Sequence, residues 1–297
     1  MVEFFNQTFM NLEQSQTGLL PFANIMYKPS NKFSVTAKYR AYPRYPDIGQ
    51  LSTFTTQVDT LTWSVGNPEL KPSNYQEIGL DFNILNKFTI SPVYSFDSHN
   101  YQQYLWEENG KYYQSQVNAN YKSLGVNVSF RLPITKTLFW QNWSQLRDTW
   151  LSYNGIDNNR TTFLLNSTLV YSMPKWNAVA GVGIQKMVTK YATLQGYNTG
   201  GNDIPMLMLQ KSFFKNKLNC TFVFVPPIKE GWLKYSQENL TQIPGYYSIN
   251  SAGLGLLQNM MLLQINYHFN SGKQIKVKKS SLDNDSNTQQ KSGGLGL

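Results

Sequence analysis

Leu263-Gln264-Ile265-Asn266-Tyr267-His268-Phe269 is the stretch that decides the fold. Leu263, Ile265, Tyr267 and Phe269 are apolar, and the polar Gln264, Asn266 and His268 stand between them. Successive side chains of a strand point to opposite faces, so this segment reads as a strand with one apolar and one polar face. Ile78, Leu80, Phe82 and Ile84 alternate with Gly79, Asp81 and Asn83 in the same way. Leu124, Val126, Val128 and Phe130 alternate with Gly125, Asn127 and Ser129. Weaker versions lie at 90–96, 163–171 and 218–224.

The breaks between these runs alternate in kind. Pro29-Ser30-Asn31-Lys32, Asn86-Lys87, Pro133-Ile134-Thr135-Lys136, Met173-Pro174-Lys175 and Lys215-Asn216-Lys217 are short turns rich in Pro, Asn and Lys. The breaks at 46–74, 154–160, 192–204 and 241–258 are longer, and Glu108-Asn109-Gly110-Lys111 is a tight exception after a long strand. Short turns on one side and long loops on the other predict an all-β fold, an antiparallel up-and-down transmembrane β-barrel. The predicted strands are 19–28, 33–45, 75–85, 88–107, 112–132, 138–153, 161–172, 178–191, 204–214, 218–240 and 259–269, and 2–12 supplies one more. That makes about twelve, an even number as bacterial barrels require.

A soluble sandwich would also alternate. The strands here are longer than the about 5–6 residues usual in sandwiches. Their polar face is Asn, Gln, Ser, Thr and Gly rather than Lys and Glu, which suits a wet lumen. Tyr and Trp gather near strand ends, as at Tyr42, Tyr45, Tyr104, Trp106, Trp140, Trp150 and Trp176, where they form girdles at lipid–water interfaces.

Composition agrees. In 297 residues only 14% are charged while 30 are Asn and 22 are Gln, so neutral polar groups replace charge. No apolar run is long enough for a membrane helix. A single cysteine, Cys220, excludes an internal disulfide framework and paired-Cys zinc sites. The two histidines, His99 and His268, are far apart, so no metal-ligand spacing occurs and no cofactor is expected. Of the net charge of +9, +3 sits in 271–297 and the rest is spread over the body with no Lys/Arg cluster marking one face, which speaks against nucleic acid as a partner. Met1-Val2-Glu3-Phe4-Phe5 lacks the pattern of a signal peptide.

Arg44-Tyr45-Pro46-Asp47-Ile48-Gly49-Gln50-Leu51 precedes Gly66-Asn67-Pro68-Glu69-Leu70-Lys71-Pro72. This pairing resembles the barrel region of TonB-dependent receptors, in particular the Bacteroidetes-type outer-membrane β-barrel family. The motif residues are Arg44, Pro46, Leu51, Gly66, Asn67, Pro68, Leu70 and Pro72; Ser73 stands where that family usually has an acidic residue. The run from Leu263 through Ile265, Tyr267 and Phe269 to Lys273 is similar to the family's closing strand. The resemblance covers about residues 30–275. It implies a Gram-negative outer-membrane location and transport of a ligand too large for porins, with this chain as the C-terminal part of a larger barrel. Its implied partners are outer-membrane lipid, the barrel assembly machinery, TonB acting only through a plug domain that this chain does not contain, and optionally a surface lipoprotein. The alternative is a stand-alone outer-membrane or surface β protein, an adhesin or binding module without transport.

Independently of any family, Gly66-Asn67-Pro68 is a turn former, and Pro72 keeps Lys71 extended. The segment is expected to be a rigid loop re-entering the wall. Ser98-His99-Asn100 invites comparison with a hydrolase site, but neighbours on a strand face opposite ways, so Ser98 and His99 are not expected to pair and no catalysis is expected. The Asn-x-Ser/Thr triplets at Asn142, Asn159 and Asn219 are read as lumenal polarity. Residues 1–270 form the barrel portion, and 271–297 are expected to be a disordered polar tail.

Overall fold

The computed structural model describes residues 3–9, 12–18, 20–227, 233–234, 236–253 and 259–269. The polar tail expected at 271–297 lies outside the described residues.

The first pair of strands, β1 (Glu3–Phe9) and β2 (Leu12–Gly18), form a hairpin on their own. The expected strand at 2–12 therefore belongs to a separate two-stranded sheet. The main sheet is an antiparallel meander. Its strands are β3 (Phe22–Ser30), β4 (Phe33–Arg44), β7 (Ser73–Ile84), β8 (Phe88–Glu108), β9 (Lys111–Pro133) and β10 (Leu138–Tyr153), followed by β11 (Ile156–Met173), β12 (Ala178–Lys186), β15 (Ile204–Phe213), β16 (Leu218–Phe224) and β19 (Met261–Tyr267). Each strand in this path pairs with the next, giving eleven wall strands. Between β4 and β7 lie a short helix α1 (Ile48–Leu51), β5 (Thr56–Gln57) and β6 (Thr62–Ser64).

Cross-strand register sorts the side chains into two faces. Phe224, Leu207, Val182, Leu169, Trp140 and Leu132 stand opposite one another from strand to strand. Most of this row is solvent-exposed in the isolated chain, as a lipid-facing belt must be. The other face carries the ion pairs Lys38–Asp81 and Arg40–Glu77, which only a wet lumen would accommodate. On the outer face of β10, Trp140 and Trp150 are ten residues apart. At about 3.4 Å per residue and roughly 45° tilt, they stand about 24 Å apart along the membrane normal, close to the apolar band of such barrels.

Leu263 faces Phe222 and Ile265 faces Cys220 on the lipid side, while Gln264 faces Thr221 and Asn266 faces Asn219 on the lumen side. The closing strand ends at Tyr267; Phe269 lies just beyond it, its ring 4.4 Å from that of Tyr267. Asn219 is lumenal as expected. Asn142, Ser144 and Asn159 are not: Asn142 and Ser144 stand opposite Phe130 and Val128 on the apolar face, where their side chains hydrogen-bond one another at 3.4 Å, and Asn159 stands opposite Trp150 on the same face. Trp143 takes the lumenal position opposite Ser129.

The expected loop at 154–160 is a tight Asn154-Gly155 turn with left-handed φ at both residues, and β11 begins at Ile156. Asn109-Gly110 turns the β8–β9 hairpin in the same way; such pairs match the twist of the flanking strands. β8 and β9 are 21 and 23 residues long, roughly twice the 9–11 needed to cross a bilayer. Their upper halves stand above the wall.

The largest departure lies in the expected loops at 192–204 and 241–258 and in the ends of the strands expected at 178–191 and 218–240. Here β13 (Thr189–Thr193), β14 (Gly196–Gly200), β17 (Ser236–Ile243) and β18 (Tyr246–Gly253) form a second, four-stranded sheet in the order β13-β14-β17-β18. The wall strands stop at Lys186 and Phe224, and the chain continues into this sheet.

Candidate functional site

The Gly-Asn-Pro segment forms a clamp at the base of the β8–β9 arm. Asp47 caps α1: the Gln50 N–H donates to Asp47 Oδ1 at 2.8 Å, and the Asp47 N–H donates to Gln50 Oε1 at 3.0 Å. The Gly66 N–H donates to the Ser52 carbonyl at 2.9 Å, and the Asn67 N–H to the Gln50 carbonyl at 2.6 Å. A Cβ on residue 66 would lie 2.3 Å from the Ser52 carbonyl oxygen, so only glycine permits this approach. Asn67 Nδ2 donates to the Gln116 carbonyl, and its Oδ1 accepts the Glu69 N–H. Asn118 continues the seam: its Oδ1 accepts the Lys71 N–H at 2.8 Å, and its Nδ2 donates to the Lys71 and His99 carbonyls. Pro46, Leu51 and Leu70 are buried and Pro72 half-buried, while Glu69 and Lys71 are exposed. Arg44 joins through its carbonyl, which accepts the Tyr101 hydroxyl at 2.9 Å.

Asp97 sits buried beneath the clamp. It accepts the Ser73 hydroxyl at 2.5 Å and the Asn74 and His99 N–H groups at 3.2 and 2.9 Å. The register of β8 on β9 shifts between Asp97 and Asn100. That bulge overturns one expectation: Ser98 Oγ and His99 Nδ1 lie 3.2 Å apart, because a bulge breaks strict alternation. The Asn100 side chain turns to Asp97 and Gln102 instead of completing a triad with His99.

The second sheet is pinned over the lumen from several sides. Asp203, fully buried, accepts the N–H groups of Met187, Val188 and Lys234 at 2.8–2.9 Å and pairs with the Lys186 ammonium at 3.0 Å. Asn158 Nδ2 donates to the Thr193 and Gly196 carbonyls, both at 2.7 Å. Gln195 engages both backbone groups of Leu105 on β8. The Tyr112 hydroxyl donates to the Gly245 carbonyl at 2.8 Å, and its ring lies 4.7 Å from that of Tyr246. On the side away from the cleft, Tyr197 is buried, with the Lys190 ammonium 4.0 Å and the Arg160 guanidinium 5.4 Å from its ring.

One face of this sheet is neutral and, at its centre, polar, with Tyr191, Ile243, Tyr246 and Ala252 at its margins. Asn198 stands opposite Asn239, Asn239 opposite Asn250, and Thr241 opposite Ser248. Leu240 and Ile249 point to the other face. The polar platform confronts Gln102, Gln103, Gln114 and the 58–62 loop across a cleft of about 440 Å³. Gln103 donates through Nε2 to Gln114 Oε1, and the two residues also line an adjoining hollow of about 270 Å³ that reaches Gln50 and Gly66 of the clamp. The Asp59 carboxylate at the rim takes the Leu61 and Thr62 N–H groups, both at 2.8 Å; these bonds, that from Leu61 first, hold it below its ordinary carboxylate value.

The structure thus brings the motif residues together under a cleft whose other wall, the platform with Gln195 and Asp203, sequence reading places in the loops at 192–204 and 241–258 and in the end of the strand expected at 218–240. The alternation Asn239-Leu240-Thr241 and Ser248-Ile249-Asn250 was the available signal. The closing-strand residues lie at the far end of the sheet path, away from the cleft.

The wall, its exposed apolar belt and its polar interior define an outer-membrane barrel. A model of the outer membrane protein beta-barrel family matches residues 3–252, and the chain belongs to that family. Its location is the outer membrane. A search of curated proteins found no match.

Proposed function

We propose that the chain is the C-terminal barrel portion of a TonB-dependent outer-membrane receptor that imports a ligand too large for porins. The carrying observation is the direction of the edge strands. In an antiparallel path of eleven strands, β3 and β19 run the same way, and each has one unpaired edge among the described residues. Adding the β1–β2 hairpin leaves the count odd. An antiparallel closure therefore needs an odd number of further strands, which a larger barrel supplies. The clamp built from the Gly-Asn-Pro motif and the cleft above the lumen support the same reading. TonB would act through a plug carried by the rest of the receptor, and the barrel assembly machinery would insert the whole.

The second sheet by itself also suits a surface binding module without transport. An antibody to the 108–111 hairpin tip, applied to native outer membranes with cross-linking to TonB, separates the two. A polypeptide well above 34.1 kDa that cross-links to TonB is expected. A 34.1 kDa barrel with no TonB adduct would overturn the receptor reading.

A further inference from the structure

We infer that the cleft between the second sheet and the β8–β9 arm binds a neutral, hydroxyl-rich oligomer, an oligosaccharide. The inference rests on the receptor reading only for what happens after binding.

Charge decides first. Among the described residues, the cleft and its adjoining hollow are lined by no Lys, Arg or His. Their two carboxylates, Asp59 and Asp47, are already committed to backbone N–H groups of their own loops. An anionic ligand would lose its hydration and find no cation, which is a large cost. An apolar ligand would strand the amides of Asn198, Asn239 and Asn250 without partners.

Hydrogen-bonding capacity decides next. Side-chain amides and hydroxyls each offer both donor and acceptor, and so does every sugar hydroxyl. The platform repeats this chemistry across three strands at Asn198, Asn239, Asn250, Thr241 and Ser248. A peptide backbone is characteristically captured along a free strand edge, whereas this platform offers a sheet face. Tyr246 lines the same cleft with its ring beside Tyr112, giving the C–H face of a sugar ring an apolar surface to lie on.

Shape points to an oligomer. The main cleft falls within the roughly 300–1,000 Å³ usual for ligand sites. The second hollow meets it at Gln103 and Gln114, so an elongated ligand can occupy both.

The test is calorimetric titration of the native outer-membrane protein in detergent. The probes are maltohexaose, cellohexaose, xylohexaose and mannohexaose, with tetragalacturonate and hexaglycine as the acidic and peptide comparisons. Saturable binding of at least one neutral hexasaccharide is expected. Asn239→Ala and Asn250→Ala should each weaken it about tenfold, the scale of one lost amide interaction. Ile249→Ala, on the opposite face, should leave it unchanged. If either alanine variant fails to assemble, the near-isosteric Thr241→Val reports on the same face. Binding of none of the four sugars, stronger binding of tetragalacturonate or hexaglycine, or indifference to the platform variants would overturn the inference. Sugar binding by a protein that does not cross-link to TonB would instead sink the receptor reading and leave this one standing.

Discussion

Gln195 closes on Leu105 with both ends of its amide: Oε1 accepts the Leu105 N–H at 2.8 Å, and Nε2 donates to the Leu105 carbonyl at 2.6 Å. The residues are ninety positions apart, and the contact ties a turn of the second sheet to the free edge of β8. Gln195→Ala removes both bonds and leaves Leu105, which is buried, with two unsatisfied backbone groups. A loss of about 1–3 kcal/mol in local stability is expected. Hydrogen exchange should accelerate across 189–200 and at 103–107, with the wall strands below unaffected. Unchanged exchange at Leu105 would show that the contact does not hold the sheet.

Asp203 anchors the other side of that sheet. Asp203→Ala removes the acceptor of three N–H groups and the charge facing Lys186. Breaking such a buried pair costs about 3–5 kcal/mol. We expect external protease to cut within 187–193 in the variant and not in the wild type, while insertion of the barrel persists. Equal resistance would contradict the anchoring role.

Gly66→Ala places a methyl group against the Ser52 and Gln50 carbonyls. Overpacking of this kind costs about 1–3 kcal/mol, and the backbone on both sides leaves little room to yield. Protease sensitivity of the 52–66 segment should rise. Glu69→Ala, at an exposed site of the same motif, should leave it unchanged.

Asp59 gives a pH dependence with a definite sign. Its folded value is depressed, so its contribution to loop order is present above the ordinary value of 3.8 and is lost as pH falls through the lower folded value. Amide exchange at Leu61 and Thr62, corrected for intrinsic rate, should be protected at pH 6 and lose protection only below the ordinary value of 3.8. Asp59→Asn should blunt that transition. Loss of protection already at pH 5 would contradict it.

On the closing strand, Leu263 faces lipid and Gln264 the lumen. A charge at a lipid-facing site costs about 2–4 kcal/mol at mid-bilayer and far less near the interface. Leu263→Arg should reduce the amount of assembled protein in the outer membrane more than Gln264→Arg does. Comparable defects would mean that both faces of the strand are enclosed.

The eleven wall strands were legible because most have an apolar face that lipid demands and a polar face that the lumen demands, so period two survives along them, β10 being the exception. The second sheet was not. Its platform is nearly as polar as a loop, and Leu240, Ile249, Tyr197, Tyr247 and Ala192 carry the opposite phase, interrupted there by Glu238, Gln242 and Ser251. The bulge at Asp97–Asn100 was also hidden, because it depends on β9 rather than on the local sequence; it is why Ser98 and His99 meet. Asn142 and Ser144 misled in another way: β10 carries polar residues on its outer face and Trp143 inside, so composition alone assigns the faces wrongly, and register with Phe130 and Val128 corrects it. The motif residues pointed to a rigid loop, but not to the cleft above it.

The two edges that are unpaired among the described residues set the order of events when the protein enters the membrane. β3 alone has nine residues, so its free side exposes roughly four N–H and four C=O groups, spaced at every second residue. At several kcal/mol for each group unsatisfied in hydrocarbon, one edge would cost tens of kcal/mol. That exceeds the roughly 5–15 kcal/mol by which a whole folded domain is stable. The sheet cannot slide into lipid first and find its neighbours afterwards: both seams must be stitched before the wall meets the acyl chains.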